Sequence, residues 1–322
     1  MTPEEVLAWE AEHRQRAGYA ALAASVLTIT GVVLTTLGQP GASEFDNKIV
    51  TVVDAMGRAA AGQPIPPGRF SAFAVDVGQH PTAPILGAVL YGLGSLTIFF
   101  AMAFLFRATR ARRPGMPQLA LVLLAIGAVG FGLGRAVAEV SRYVGAHDFV
   151  DAVDKTNSAA ADALSPPASV VGQLIWETSA LALGFAIAMI SLNAMRVGLL
   201  SRFMGVLGVI VGVAVPPILP IDQQGIIRVF WLAALGILLL GRLPSGTGKA
   251  WVTGQAEPWP TQQQLREQRE AARAEREPPT QRSSGRSAPP TPPPAAPSPR
   301  RADPAAAGEH SASKKKKRKR RS

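Results

Sequence analysis

Six long apolar stretches occupy the first 243 residues of this 322-residue chain, and each is bounded by arginine, proline or other polar residues. An α-helix needs about 20 apolar residues to cross the ~30 Å hydrocarbon layer of a bilayer. Because a soluble domain has no use for six such segments, the pattern predicts a polytopic membrane protein. We expect an all-α fold in which an integral membrane six-helix bundle, residues 19–243, precedes a disordered C-terminal tail.

The apolar stretches give the approximate bounds of the spans. The predicted helices are Tyr19–Leu37, Ile85–Phe106, Leu119–Val140, Val170–Met195, Phe203–Leu219 and Ile226–Leu243. Only six residues join the last two, which predicts an adjacent antiparallel hairpin. Pro216 and Pro217 remove two backbone donors from the fifth helix, so they either kink it and open a cavity or end it. Their place near its end favours termination.

The basic residues of the short connections predict the direction of insertion. Lys and Arg concentrate in loops on the cytoplasmic side of a membrane. The connections at one end of the predicted helices contain Arg14, Arg16, Arg107, Arg110, Arg112, Arg113, Arg196, Arg202, Arg242 and Lys249. With an even number of helices all of these fall on one side. Both termini are therefore predicted to be cytoplasmic, and loops 38–84 and 141–169 to be extracytoplasmic.

Residues 1–18 are predicted to form a cytoplasmic amphipathic helix before the first span. Thr2 is the expected N-cap, Pro3 the first helical residue, and Glu5 the partner in a capping box. This acidic segment lacks the basic start of a signal peptide, so the first span is expected to remain as an anchor.

Each extracytoplasmic loop is expected to contain one short amphipathic helix. Its apolar residues recur at helical spacing. They are Phe45, Ile49, Val52, Val53 and Met56 in the first loop, and Phe149 and Val153 in the second.

Residues 244–322 are predicted to be a disordered basic cytoplasmic tail with a polar helix at 261–277. The chain has a net charge of +11, and eight of these charges belong to Lys314, Lys315, Lys316, Lys317, Arg318, Lys319, Arg320 and Arg321. Beside a membrane, each base is attracted to anionic lipid headgroups by about 1 kcal/mol. The same charge would bind nucleic acid without sequence preference. A solvated tail with neither partner is the third interpretation.

Ionisable residues inside predicted spans are the main candidate site, because a charge in a bilayer needs a partner or a task. Arg135 and Glu139 lie in the third helix, and Gln173 and Glu177 in the fourth. Counting along the helices places Arg135 and Glu177 within about one turn of the same depth, so we predict that they pair. The pair either lines a polar site with Gln173 or holds two helices in register, and the structural role is favoured. Arg228 is expected to extend to the interface or to meet Asp222.

Small residues are predicted to pack the helices closely. The Gly130-x-x-x-Gly134 and Gly208-x-x-x-Gly212 spacings favour helix contacts within one chain or in a homo-oligomer. The sequence has no cysteine and four scattered histidines. It also contains no nucleotide-binding or nucleophile motif, so no catalytic residue, metal site or cofactor is predicted.

Three pieces of the C-terminal half resemble a family of uncharacterised actinobacterial multi-pass membrane proteins, of the domain-of-unknown-function type. They are residues 193–208, residues 230–242, and Ala250-Trp251 with residues 256–260. The resemblance implies a bacterial plasma membrane and carries no activity or site residue.

Together these features predict a non-enzymatic integral membrane protein that acts as a scaffold or envelope-associated component. The alternative is a small-solute transporter or channel using the region of Arg135 and Glu177, and an intramembrane enzyme is a third hypothesis. A solvated cavity reaching Glu177 would favour transport, whereas a dry, glycine-packed interior would favour the scaffold.

Overall fold

The computed structural model describes residues 2–37, 52–63, 68–217, 225–242, 248–259 and 262–276, whose regular structure is entirely α-helical. The helices are α1 (Pro3–Leu37), α2 (Val52–Ala60), α3 (Arg69–Gln79), α4 (Thr82–Arg112), α5 (Leu119–Val150), α6 (Asn157–Leu164), α7 (Pro167–Arg196), α8 (Arg202–Ala214), α9 (Ile226–Leu239), α10 (Ala250–Thr253) and α11 (Gln262–Arg276). The all-α prediction is confirmed over these ranges. The chain divides into one compact unit of residues 1–265 and a second of residues 266–322, of which the described part is a single stretch of helix.

Four helices are long and apolar enough to cross a membrane, namely α1, α4, α5 and α7, with 35, 31, 32 and 30 residues. At 1.5 Å per residue each spans roughly 45–53 Å, which exceeds the ~30 Å hydrocarbon layer. Each of these helices is therefore longer than the hydrocarbon layer and has turns that lie outside the layer.

The last two predicted spans are shorter than expected. α8 has 13 residues and α9 has 14, or about 20 Å each, so they do not count as full spans by length. α8 ends at Ala214, and only its C-cap Val215 separates it from Pro216 and Pro217, which confirms the interpretation of these prolines as a terminator. Residues 218–224 and 243–247, including Leu243 and Asp222, lie outside the described ranges.

The N-terminal segment and the first span are one helix rather than two. The capping box is confirmed: the Thr2 amide donates to Glu5 Oε2 at 2.8 Å, and the Glu5 amide donates to Thr2 Oγ1 at 3.3 Å. The helix continues through Gly18, where a Cβ would lie 2.9 Å from Leu240 Cγ. This close approach to α9 offsets the cost of about 1 kcal/mol that glycine carries inside a helix.

The helices pack mainly as antiparallel neighbours. The most extensive contacts are α5 with α7 and α1 with α4, while α4 also contacts α5, α8 contacts α7, and α9 contacts α1. One large apolar core lies between them, with Trp231, Phe106 and Phe131 among its fully buried side chains.

A second, smaller apolar core joins α3, α6 and the C-terminal end of α5. Its buried residues are Ala74, Val77, Tyr143, Ala146, Phe149, Ala160 and Leu164. We call this part the cap. It includes the last part of α5, which continues to Val150, beyond its predicted end at Val140.

The two loop helices differ from their predictions. In the first loop, α2 contains Val53 and Met56, but both are exposed, and Phe45 and Ile49 lie outside the described residues. α3 was not predicted. In the second loop the prediction was wrong: Phe149 belongs to α5, and Val153 is exposed and outside any helix. The loop helix is α6, because Thr156 caps it by accepting from the Ala159 amide at 3.3 Å.

Candidate functional site

The predicted intramembrane polar residues form two separate pairs. Arg135 Nη2 lies 3.2 Å from Glu139 Oε1 on its own helix, and Arg142 contacts the other oxygen of Glu139 at 3.4 Å. Gln173 donates to Glu177 Oε1 at 2.8 Å along α7. Within the described part of the chain no ion pair joins Arg135 to Glu177, so the predicted interhelical pair was wrong.

Helix geometry explains this error. The predicted depth of Arg135 relative to Glu177 was close, because the neighbours of these residues, Gly134 and Trp176, are in contact. A Cβ added to Gly134 would lie 2.5 Å from the backbone nitrogen of Trp176. Arg135 therefore meets Trp176, whereas Glu177 is about 100° further around α7. Each charged group then finds its partner four residues away on its own helix, where side chains are neighbours.

Arg135 is held between aromatic rings. Its guanidinium carbon lies 4.7 Å from the centroid of the Trp176 ring and 5.4 Å from that of Tyr91. At this range an arginine is attracted by the negative face of the ring, and more strongly where water is excluded. The contact links α5 to α4 and α7.

Arg228 lies inside the bundle. It is 3% exposed, and its Nη2 donates to the Tyr91 hydroxyl at 2.5 Å. Its guanidinium lies 5.3 Å from the Tyr91 centroid and 5.1 Å from that of Phe131. The prediction that Arg228 extends to the interface was therefore wrong.

These contacts form one group that we call the arginine–aromatic cluster. It consists of Tyr91, Phe131, Arg135, Glu139, Trp176 and Arg228, contributed by α4, α5, α7 and α9. The rings of Phe131 and Trp176 also contact each other, with centroids 6.1 Å apart. Its charged members are two arginines and one carboxylate. Chemically the cluster can hold four helices together.

A second polar group lies at the other end of α4. Glu10 of α1 forms a bidentate pair with Arg112, and both side chains are almost fully buried. Arg112 Nη2 also donates to the Ala250 carbonyl at 2.7 Å. This inner ionic cluster joins α1, α4 and α10.

Trp251 of α10 is the aromatic part of the inner ionic cluster. The Arg14 guanidinium lies 4.5 Å from its centroid and that of Arg112 lies 5.7 Å away. The Trp251 indole donates to the Leu199 carbonyl at 2.9 Å, and its ring stacks on Phe104 at 6.2 Å. Trp251 thereby fixes the chain after α9 against the bundle.

Sequence reasoning missed several of these residues. The i, i+4 spacing of Arg135 and Glu139 was a usable signal for their pairing. Arg112 was seen only as a charge of the connection after the second span, and Glu10 only as part of the acidic N-terminal helix, because nothing in the local sequence indicates that the two side chains meet and are buried. The predicted contact residues Lys314–Arg321 lie outside the described ranges. In the ranges that are described, no group of three or more metal-ligating side chains occurs.

Comparison of the chain with protein-family models, with curated proteins and with solved structures finds no match. The structure thus defines the class by its own features. Its described residues form helices and no strands, and four of these helices are long and apolar enough to cross a membrane, which indicates a membrane protein.

Proposed function

We propose that the protein is a six-helix, multi-pass protein of the bacterial plasma membrane that acts as a non-enzymatic scaffold. In this proposal the bundle holds the cap on the extracytoplasmic side, and both termini are cytoplasmic. The observation that carries the proposal is the direct backbone packing of successive helices through paired glycines.

The glycines face each other in four helix pairs. In each of the four glycine pairs named next, a Cβ added to the first glycine would lie 2.3–2.9 Å from the carbonyl oxygen of the second glycine. This distance is too short for any side chain. The pairs are Gly31 with Gly87, Gly92 with Gly132, Gly134 with Gly172, and Gly184 with Gly212. Such contacts let helices associate by close van der Waals packing in lipid. They favour the dry, glycine-packed interior of a scaffold over a solute path.

The same contacts use the two glycine spacings found in the sequence. A Cβ on Gly130 would lie 2.0 Å from Ser179 Oγ, and one on Gly208 would lie 2.4 Å from Ser191 Oγ. These faces of α5 and α8 are therefore filled by α7 of the same chain. A homo-oligomer, which the proposal leaves open, would use another surface.

The absence of cysteine from the chain allows a direct test with single-cysteine variants. Ser179→Cys and Ser191→Cys place a thiol in the buried interior, and Ser158→Cys and Thr253→Cys place one at exposed positions of the cap and of α10. A membrane-impermeant thiol reagent is applied to intact cells, then to permeabilised cells, then to denatured protein.

A scaffold of the proposed orientation gives a specific labelling pattern. Ser158→Cys should react in intact cells, Thr253→Cys only after permeabilisation, and the two interior thiols only after denaturation. Reaction of Ser179→Cys or Ser191→Cys in the folded protein would show a water-filled path and overturn the scaffold. Reaction of Thr253→Cys in intact cells would overturn the orientation.

A small-solute transporter or channel is the second candidate, and the partly exposed guanidinium of Arg135 in the arginine–aromatic cluster favours it. A transported anion would then contact Arg135, whose side chain is 25% exposed. In proteoliposomes, Arg135→Gln should abolish anion flux that the parent protein catalyses, while Arg58→Gln should not. If the parent shows no flux above empty liposomes, this candidate is excluded.

The basic tail is proposed to bind anionic headgroups of the same membrane. Eight bases at about 1 kcal/mol each would hold it there at low salt. Without residues 314–321, an isolated C-terminal segment should lose its salt-dependent binding to vesicles containing phosphatidylglycerol. Binding that prefers nucleic acid over such vesicles would favour the other tail hypothesis.

A further inference from the structure

An open groove of about 470 Å³ lies between α1 and α4, with one residue of α5 at its side. Its walls are mainly apolar and include four aromatic side chains, Trp9, Phe99, Phe100 and Phe104. Ala17 and Ala20 face it from α1, and their small side chains leave the space empty. Phe100 is 62% exposed, so the groove opens to the surroundings of the bundle and not to its interior.

The groove has positive charge at one end. Arg16 and Arg107 line it and are exposed, and His13 beside them is half-buried. No carboxylate is among its described lining residues; Glu12 lies 3.8 Å from His13 and is 67% exposed. Across the described ranges, the side chains of Arg16 and Arg107 have no hydrogen bond or ion pair within the protein. Their charges are therefore available to an external anion.

The antiparallel arrangement of α1 and α4 brings these charges to one depth. Arg16 lies three residues before the predicted span at Tyr19, and Arg107 directly follows the span that ends at Phe106. Both guanidinium groups therefore belong at the membrane interface. Ala20 and Phe100 lie on the hydrocarbon side of them. The groove is thus cationic at headgroup level and apolar below it.

We infer that this groove binds one anionic phospholipid, whose phosphate contacts Arg16 and Arg107 and whose acyl chain lies along Phe99 and Phe100. Arginine suits this task because its planar fork of donors matches phosphate oxygens. The volume lies within the range of small-molecule sites. The alternative is that both arginines meet headgroups in general, without selecting a bound lipid.

The test measures lipid binding to the full-length protein by native mass spectrometry in detergent. Phosphatidylglycerol and phosphatidylcholine with the same acyl chains are titrated separately. Each base near an anionic headgroup is worth about fivefold in affinity, so R16Q/R107Q should bind the first phosphatidylglycerol about 25-fold more weakly. Its binding of phosphatidylcholine should weaken much less, because the positive choline group offsets the charge of the phosphate.

The matched control is R196Q/R202Q, which removes two exposed arginines from the same end of the bundle. The basic tail is present in every variant, so its contribution cancels from the comparison. The control should bind phosphatidylglycerol within about twofold of the parent. Equal losses in the two double variants would show that only overall charge matters and would overturn the site. Equal binding of the two lipids by the parent protein would overturn it as well.

A second variant protects the test against misfolding of the first. Ala20→Trp keeps every charge and fills the apolar part of the groove. It should also displace the bound phosphatidylglycerol, by at least tenfold in affinity. If Ala20→Trp binds this lipid as the parent does, the groove is not the site.

Discussion

Replacing Glu10 with glutamine removes the carboxylate that neutralises Arg112 in the inner ionic cluster. Glu10 is 3% exposed, and the Arg112 side chain is fully buried. Glutamine keeps the shape of the side chain and one acceptor oxygen but not the charge. The substitution therefore isolates the electrostatic contribution of the pair.

The size of the effect follows from what Arg112 retains. Removing one partner of a buried ion pair costs about 3–5 kcal/mol, because the other charge is left uncompensated. Arg112 still donates to the Ala108 carbonyl at 3.0 Å and to the Ala250 carbonyl at 2.7 Å, and it still faces Trp251. We therefore expect the lower end of the range, a loss of about 3 kcal/mol in the free energy of unfolding.

The assay is reversible unfolding in mixed micelles, followed by tryptophan fluorescence. Trp251 lies against the pair, so its environment should change together with the cluster. Glu12→Gln is the matched control, since this side chain is 67% exposed and its removal should cost less than about 0.5 kcal/mol. Glu10→Leu combined with Arg112→Met should recover most of the stability, because well-packed apolar replacements of a buried pair are close to neutral.

Two outcomes would refute this reasoning. If Glu10→Gln unfolds within about 0.5 kcal/mol of Glu12→Gln, the pair is not buried in the folded protein. If the combined Glu10→Leu and Arg112→Met protein is no more stable than Glu10→Gln, the loss comes from packing and not from an uncompensated charge.

Two further substitutions test the packing of the bundle in the same unfolding assay. Tyr91→Phe removes the hydroxyl that accepts a hydrogen bond from Arg228. It should lower the free energy of unfolding by about 1.5–3 kcal/mol, as expected for a hydrogen bond to a charged group. An unchanged free energy of unfolding would contradict this contact. Gly134→Ala should lower the free energy of unfolding by about 1–3 kcal/mol, because the new Cβ would lie 2.5 Å from the backbone nitrogen of Trp176. Gly57→Ala in α2, where a Cβ would meet no atom within 4 Å, should be neutral or stabilising. Equal effects at both glycines would refute close packing at Gly134.

The long helices were predictable because a membrane span needs only a sufficient length of apolar sequence. Leu119, for example, begins both the predicted third span and α5. The ends were less predictable. α5 continues from Val140 to Val150 because Tyr143 and Phe149 are covered by the cap, and that contact joins segments distant in the chain. Hydropathy along one helix contains no information about such a partner.

The candidate site was predictable in depth but not in pairing. Side-chain direction depends on the rotation of each helix, and one residue of sequence turns it by about 100°. Arg135 and Glu177 therefore diverge although the backbones of α5 and α7 touch beside them. Tyr91 was overlooked because a tyrosine in an apolar stretch carries no charge. Its importance arises only when α9 brings Arg228 against its hydroxyl group.

The orientation argument does not depend on whether α8 and α9 cross the membrane. α8 starts beside the end of α7, where a Cβ on Gly205 would meet Met195, and α9 ends where its Leu238 carbonyl accepts from Arg14. The start of α8 and the end of α9 therefore lie at the same end of the bundle. This holds whether the two helices together cross the bilayer twice or turn back within it. The number of crossings is then six or four, and it is even in both cases. The proposed orientation consequently rests on the distribution of arginines and not on the length of two short helices, so labelling of Thr253→Cys tests it directly.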